Sequence, residues 1–149
     1  MAKSKTNKRQ SGCPIAFSLD AIGDKWSLLI VRDMVFKGRR FYGEFLEAQE
    51  NISTNILADR LKSLEEKNII RKVSDPSTKG RYRYELTETG IELIPTLLEV
   101  ILWGARNDPN TTTPRKLLER LESDKQKYLM EVLEAVEANQ AAPFYFSNI

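Results

Sequence analysis

The chain is 149 residues long, 41% hydrophobic and 30% charged, as expected of one soluble globular domain with its own core. It has no histidine and a single cysteine, Cys13, which excludes histidine-based triads, imidazole proton shuttles, internal disulfides and cysteine-rich metal sites. The net charge is only +2, so a nucleic-acid partner must be argued from where the charge sits, not from its total.

Residues 1–12 carry Lys3, Lys5, Lys8 and Arg9 without an acid, and are expected to form a disordered basic arm. Such an arm either only solubilises the chain or contacts phosphates. No apolar segment follows it, so it does not read as a signal peptide, and no apolar run approaches the roughly 18 residues of a membrane span. The expected location is the cytoplasm, with no membrane contact.

Cys13-Pro14 opens a short apolar helix with Ile15, Phe17, Leu19 and Ile22, which Gly23 is placed to stop. Asp24 is a capping residue for a second helix, Lys25 to Phe36, apolar round much of its girth. A basic turn, Lys37-Gly38-Arg39-Arg40, leads to a third helix over about Tyr42–Gln49.

The stretch Asn51–Arg71 is the one the rest of the chain is arranged to present. Ser53 has N-cap chemistry, and Ile52, Leu57, Leu61 and Leu64 recur at helical spacing, so one stripe faces a core. The opposite face carries Thr54, Asn55, Ala58, Asp59 and Lys62. Small hydrogen-bonding side chains at the start of a helix suit base edges in a DNA major groove.

Ile69–Val73 is short and β-branched, Asp75–Gly80 is a turn cluster, and Arg81–Leu86 alternates. Tyr82, Tyr84 and Leu86 are expected on one face, with Arg81, Arg83 and Glu85 on the other. A hairpin after an exposed helix is the wing of a winged helix, with Lys79, Arg81 and Arg83 placed for phosphates or a minor groove.

A long apolar helix is expected over about Glu88–Arg106, kinked at Pro95. So much apolar surface on one helix calls for a partner chain. Thr113-Pro114 then opens a helical extension over 113–139, broken near Ser123-Asp124 and expected to serve dimerisation. The expected fold is mainly α with a small β-hairpin. It is a winged helix-turn-helix DNA-binding domain over 13–106, with added N- and C-terminal dimerisation helices.

Several of these stretches occur together in one known family. Cys13-Pro14, Ile22–Ile30, Arg39-Arg40-Phe41 with Gly43-Glu44-Phe45, Ile52-Ser53, Leu57–Leu61, Tyr82–Thr87 and Trp103-Gly104 resemble the HxlR-type winged-helix transcription regulators of the MarR-like superfamily. The resemblance covers about Cys13–Ala105. It implies a homodimer on double-stranded DNA, more often a repressor, and often responsive to a reactive or aromatic small molecule. The turn at Asp75–Gly80 is poorer in proline than the family's usual wing, and the segment after Asn107 is additional.

Candidate phosphate ligands are Arg39, Arg40, Lys79, Arg81 and Arg83, with Ser53 at the helix N-terminus. Candidate base readers are Thr54, Asn55 and Lys62. Asp59 reads cytosine or pairs with Lys62 or Arg60, and Arg60 is equally a structural clamp. Cys13 resembles the N-terminal cysteine that some relatives use as a redox sensor; the alternative is a small buried residue near a dimer interface. Phe17, Trp26 and Trp103 line either an effector pocket or the core of a dimer. No residue set nominates a reaction, a metal or a cofactor. The competing reading is a winged-helix protein-interaction module without DNA binding.

Overall fold

The structure, a computed structural model, describes residues 11–143. The expected basic arm therefore lies outside the described residues apart from Ser11 and Gly12. The elements run α1 (Pro14–Ile22), α2 (Ser27–Phe36), α3 (Tyr42–Phe45), α4 (Thr54–Glu66), β1 (Ile70–Ser74), β2 (Tyr82–Leu86), α5 (Glu88–Ile91), α6 (Ile94–Asn107), α7 (Arg115–Ser123) and α8 (Lys125–Glu137).

Helix α2 is the centre of the core. Val31, Met34, Val35 and Phe36 are fully buried, joined by Leu57, Leu61 and Leu64 of α4, and by Ile94, Leu97 and Leu98 of α6. The helix begins at Ser27, two residues later than the sequence suggests. Asp24 Oδ1 accepts hydrogen bonds from the backbone N–H groups of Trp26 and Ser27 at 2.8 and 2.9 Å, so its capping closes a turn ahead of the helix.

Helix α3 is shorter than expected. Residues 46–51 form their own chain of turns, Asn51 N–H donating to the Ala48 carbonyl at 3.0 Å. Asn51 then takes a left-handed φ of 55° and points the chain into α4. Asparagine tolerates that conformation better than most residues. Helix α4 matches expectation: Ser53 caps it, its hydroxyl accepting from Ile56 N–H at 3.3 Å, and Ile52, Leu57, Leu61 and Leu64 are buried.

The two strands pair antiparallel, Ile70 opposite Leu86 and Ser74 opposite Tyr82. The Arg40 carbonyl accepts from Tyr84 N–H at 2.8 Å, laying the segment before α3 along the other edge of β2. Tyr84 is buried, but Tyr82 is 50% exposed. The expected inner face therefore fails at its outer end, because the hairpin runs out past the core; there the Lys72 ammonium covers the Tyr82 ring at 4.8 Å. Below the hairpin, Gly90 meets the chain at the start of β1. A Cβ at Gly90 would lie 2.2 Å from the Ile69 carbonyl oxygen, so this approach requires glycine.

The long helix expected over Glu88–Arg106 is two helices. Pro95 sits in the first turn of α6, where its missing N–H costs nothing, and its ring is incompatible with a continuous helix carrying the Ile91 carbonyl. Leu93 N–H turns instead to the Gly90 carbonyl at 3.1 Å. Similarly, Pro114 is the N-cap of α7 rather than its first helical residue, and Thr113 bonds to Thr111 instead of capping. The break at Asp124 is present, separating α7 from α8.

The extension packs in cis. Leu117, Leu121, Tyr128 and Val132 join the chain's own core, Tyr128 Oη donates to the Pro143 carbonyl at 2.9 Å, and Ala142 N–H donates to the Val35 carbonyl at 2.9 Å. These four side chains of the extension, which was expected to serve dimerisation, are thus buried within the single chain. Most of the apolar surface left over lies on α1 (Ile15, Phe17, Leu19) and α6 (Val100, Trp103), with Met130 exposed on α8. Ile15, Leu19 and Val100 line one shallow groove together with Leu28. Among the described residues no helix is long and apolar enough to cross a membrane.

Candidate nucleic-acid interface

The first turn of α4 is held from two sides. Ser53 satisfies the Ile56 N–H, and the Tyr42 hydroxyl of α3 donates to the Thr54 carbonyl at 2.8 Å. Thr54, Asn55 and Lys62 are all exposed. Ile56, which the sequence reading passed over, is 40% exposed beside Asn55. Its signal was an apolar residue outside the buried stripe, of the kind that can meet a thymine methyl. Asp59 pairs with Arg60, not Lys62, and Arg60 also lies 3.5 Å from Asp24, so Arg60 clamps α4 to the turn before α2.

The structure moves two of the expected phosphate ligands inward. Arg39 Nη1 lies 2.6 Å from Oδ2 of Asp33, which is only 2% exposed. Arg40 Nη1 donates to the carbonyls of Met34 and Arg39 at 2.7 and 2.8 Å, and burial pulls its guanidinium below the ordinary value. Both side chains brace the segment between α2 and α3. Glu44 completes the brace, Oε2 accepting from the backbone N–H groups of Arg40 and Phe41.

The wing keeps cations at its tip. Lys79 is exposed in the turn, next to Gly80 at a φ of 80°. Asp75 organises that turn: its backbone N–H donates to the Arg81 carbonyl at 2.8 Å, and Oδ1 accepts from Ser77. Arg81 is half exposed, its guanidinium carbon over the Phe41 ring at 3.5 Å from the centroid, with Asp75 Oδ2 3.7 Å away. Stacking uses the face of the guanidinium and leaves most of its in-plane donors open.

Arg83 is drawn down the hairpin instead, 2.8 Å from Glu85. Burial opposes ionisation of Glu85, but hydrogen bonds from Arg71 and the charge of Arg83 outweigh it and hold the carboxyl below its usual range. Of the three cations expected there, Lys79 and Arg81 are therefore the outward ones, and Arg83 is half committed to an internal pair.

The three aromatics grouped by the sequence reading do not share a pocket. Trp26 packs on the core near Ile30 and Phe45, with the Lys25 ammonium 4.7 Å over its ring. Trp103 is 71% exposed on the outer side of α6, and Phe17 lines a cleft between α1, the end of α4 and α5. Cys13 is exposed at the N-cap of α1. Among the described residues no cluster of histidine, cysteine, aspartate or glutamate is arranged to hold a metal.

A braced short helix, a tight turn, a capped helix with its polar side outward and a cation-tipped hairpin together form a winged helix-turn-helix, built to bind DNA. Comparison with known proteins agrees. Residues 21–112 match the model of the HxlR-like helix-turn-helix family, and the chain belongs to that family. The uncharacterized HTH-type transcriptional regulator sll1512 of Synechocystis sp. is 40% identical over 93 residues, 62% of this chain and 68% of that one. Another, YybR of Bacillus subtilis, is 30% identical over 70% of this chain and 83% of its own length. Among solved structures, the redox regulator HypR in its oxidized form superposes with a TM-score of 0.58 at 32% identity, over 64% of this chain and 97% of that one. The chain is thus a DNA-binding transcription regulator, and its sequence resemblance pointed to the right family.

Proposed function

We propose that the protein is a homodimeric repressor that reads a pseudo-palindromic operator with α4 of each copy. One observation carries this reading: Thr54, Asn55 and Lys62 are exposed on a helix whose first turn is fixed by Ser53 and Tyr42. Asn55 is suited to bidentate bonding of adenine, Lys62 to guanine or a phosphate, and Lys79 and Arg81 to flanking phosphates. The partner copy covers the apolar faces of α1 and α6 around Ile15, Leu19, Val100 and Trp103, which water otherwise wets. Two-fold symmetry then places the paired recognition helices about one duplex turn apart, roughly 34 Å.

The test is a gel-shift and footprint on DNA from upstream of the protein's own gene, followed by reporter expression with and without it. A palindromic footprint and lower expression support the reading. No shift at low salt, or raised expression from a bound site, refutes it.

A redox-responsive form of this repressor has support of its own. Cys13 is exposed, and the chain is similar to the redox regulator HypR. Operator affinity with and without diamide, for wild type and Cys13→Ser, separates the outcomes. Loss of response in the variant supports a sensing thiol, and an equal response removes it.

A further inference from the structure

At the end of α4 opposite Ser53, a cleft of about 720 Å³ opens between α1, α4 and α5. That volume suits a small organic ligand. Phe17, Ala21, Ile22, Ile69 and Leu93 give it apolar walls, and three carboxylates, Asp20, Glu66 and Glu92, also line it. None of the three forms an ion pair among the described residues. The lining has one basic residue, Lys67, whose ammonium is turned to the carbonyls of Asp20 and Ala21 at 3.0 and 3.4 Å and to Ser63 Oγ at 2.9 Å. Three carboxylates against one ammonium leave the lining at −2, although the whole chain is +2.

An apolar cleft with an aromatic ring and surplus negative charge matches one ligand chemistry: a bulky cation with its charge spread over hydrocarbon. We propose that this cleft binds a lipophilic organic cation, and that occupancy is relayed to the DNA-reading helix through Lys67. Lys67 is the C-cap of α4, and its side chain ties that end of the helix to the last carbonyls of α1. A ligand wedged between α1 and α4 acts on that tie directly. The adjoining residue, Asn68, holds a left-handed φ of 57°, so the helix end and β1 are joined at a sharp corner bordering the same cleft. The relay, unlike the binding site, rests on the operator-binding reading above.

The test pairs two ions of nearly identical shape and opposite charge, tetraphenylphosphonium and tetraphenylborate, titrated calorimetrically into the full-length chain. The cation is expected to bind at least about tenfold more tightly than the anion, against the sign of the protein's net charge. Glu66→Gln with Glu92→Gln, both exposed positions, should keep the melting temperature and remove the preference. Absence of binding, equal binding of the anion, or an unchanged preference in the double variant overturns the site. So does dissociation of a dimer by Leu93→Glu in a protein that binds neither ion, since the cleft then belongs to a second copy.

For the relay, saturating tetraphenylphosphonium should weaken operator binding severalfold in wild type and not in Lys67→Met. Operator affinity indifferent to a cation that calorimetry shows to be bound overturns the relay and leaves the site standing.

Discussion

Arg32 holds both carboxylate oxygens of Glu50, through Nη1 at 2.6 Å and Nη2 at 3.0 Å, tying the middle of α2 to the turn that launches α4. The same guanidinium lies 2.8 Å from Asp33, which takes Arg39 on its other oxygen. One network therefore fixes the segments on either side of α3, at Arg39 and at Glu50. Paired planar groups restrict angle as well as distance, so this contact helps set the direction in which α4 leaves the body.

Acid should loosen this arrangement. Hydrogen bonds from Arg32 bring the Glu50 carboxyl down to about 2, from an ordinary value of 4.5. The folded value is the lower one, so the stabilisation is complete above about pH 4.5 and disappears as pH falls towards 2. Its ceiling is about 3.5 kcal/mol, from roughly 1.4 kcal/mol per unit, and solvent screening of this partly exposed pair brings the gain well below that. Urea midpoints measured from pH 6 to 2.5 should decline steeply in wild type and less steeply in Glu50→Gln. Identical acid limbs would sink this assignment.

The Phe41–Arg81 stack should matter to DNA affinity without touching DNA. Removing the ring frees the guanidinium, at a cost of about 0.5–1 kcal/mol, or two- to fivefold in affinity. Phe41→Leu should show that loss and Phe41→Tyr should not. Arg81→Ala should also reduce the slope of log affinity against log salt by about 0.9, one phosphate contact. An unchanged affinity in Phe41→Leu would mean that the ring only packs.

Sequence preference should reside in α4. Asn55→Ala is expected to cost about 1–3 kcal/mol on the cognate site and little on sites mutated at the contacted base pair. Competition binding across a set of single-base operator variants measures this. Uniform weakening over all sites would assign Asn55 to the backbone instead.

The apolar faces of α1 and α6 should govern assembly. Leu19→Glu with Val100→Glu places charge at two positions that are 62% and 47% exposed in the single chain, so folding should survive. Sedimentation should then show a monomer in place of a dimer, with operator affinity falling at least about tenfold as the half-sites bind singly. A dimer that persists would locate its interface elsewhere.

Much of this layout is legible in the primary structure, because its signals are local. Ser53 followed by an apolar stripe marks the start and inner face of α4, and the turn cluster at Asp75–Gly80 between β-branched and alternating runs marks the wing. What escapes is set by contacts distant in sequence or by backbone chemistry overriding a pattern. Arg39 and Arg40 look like any basic turn until Asp33 is found buried beneath it and the Met34 carbonyl beside it. Composition likewise cannot show that Arg83 is turned back to Glu85 while Arg81 is propped outward by Phe41. The apolar residues after Thr87 read as one rod, and only the geometry imposed by Pro95 divides it. That residues 113–139 form a helical extension was visible, but which molecule covers its apolar side was not.

That last packing has a practical consequence for anyone cutting or grafting this regulator. The family match stops at residue 112, yet Leu117, Tyr128 and Ala142 belong to the floor of the chain's own core, and Ala142 N–H ties that floor to the Val35 carbonyl of α2. A fragment trimmed to the shared length would flood that floor with solvent and slacken the base from which Arg32 steers α4. A chimera carrying this wing to a new promoter must therefore take residues 115–142 along as ballast.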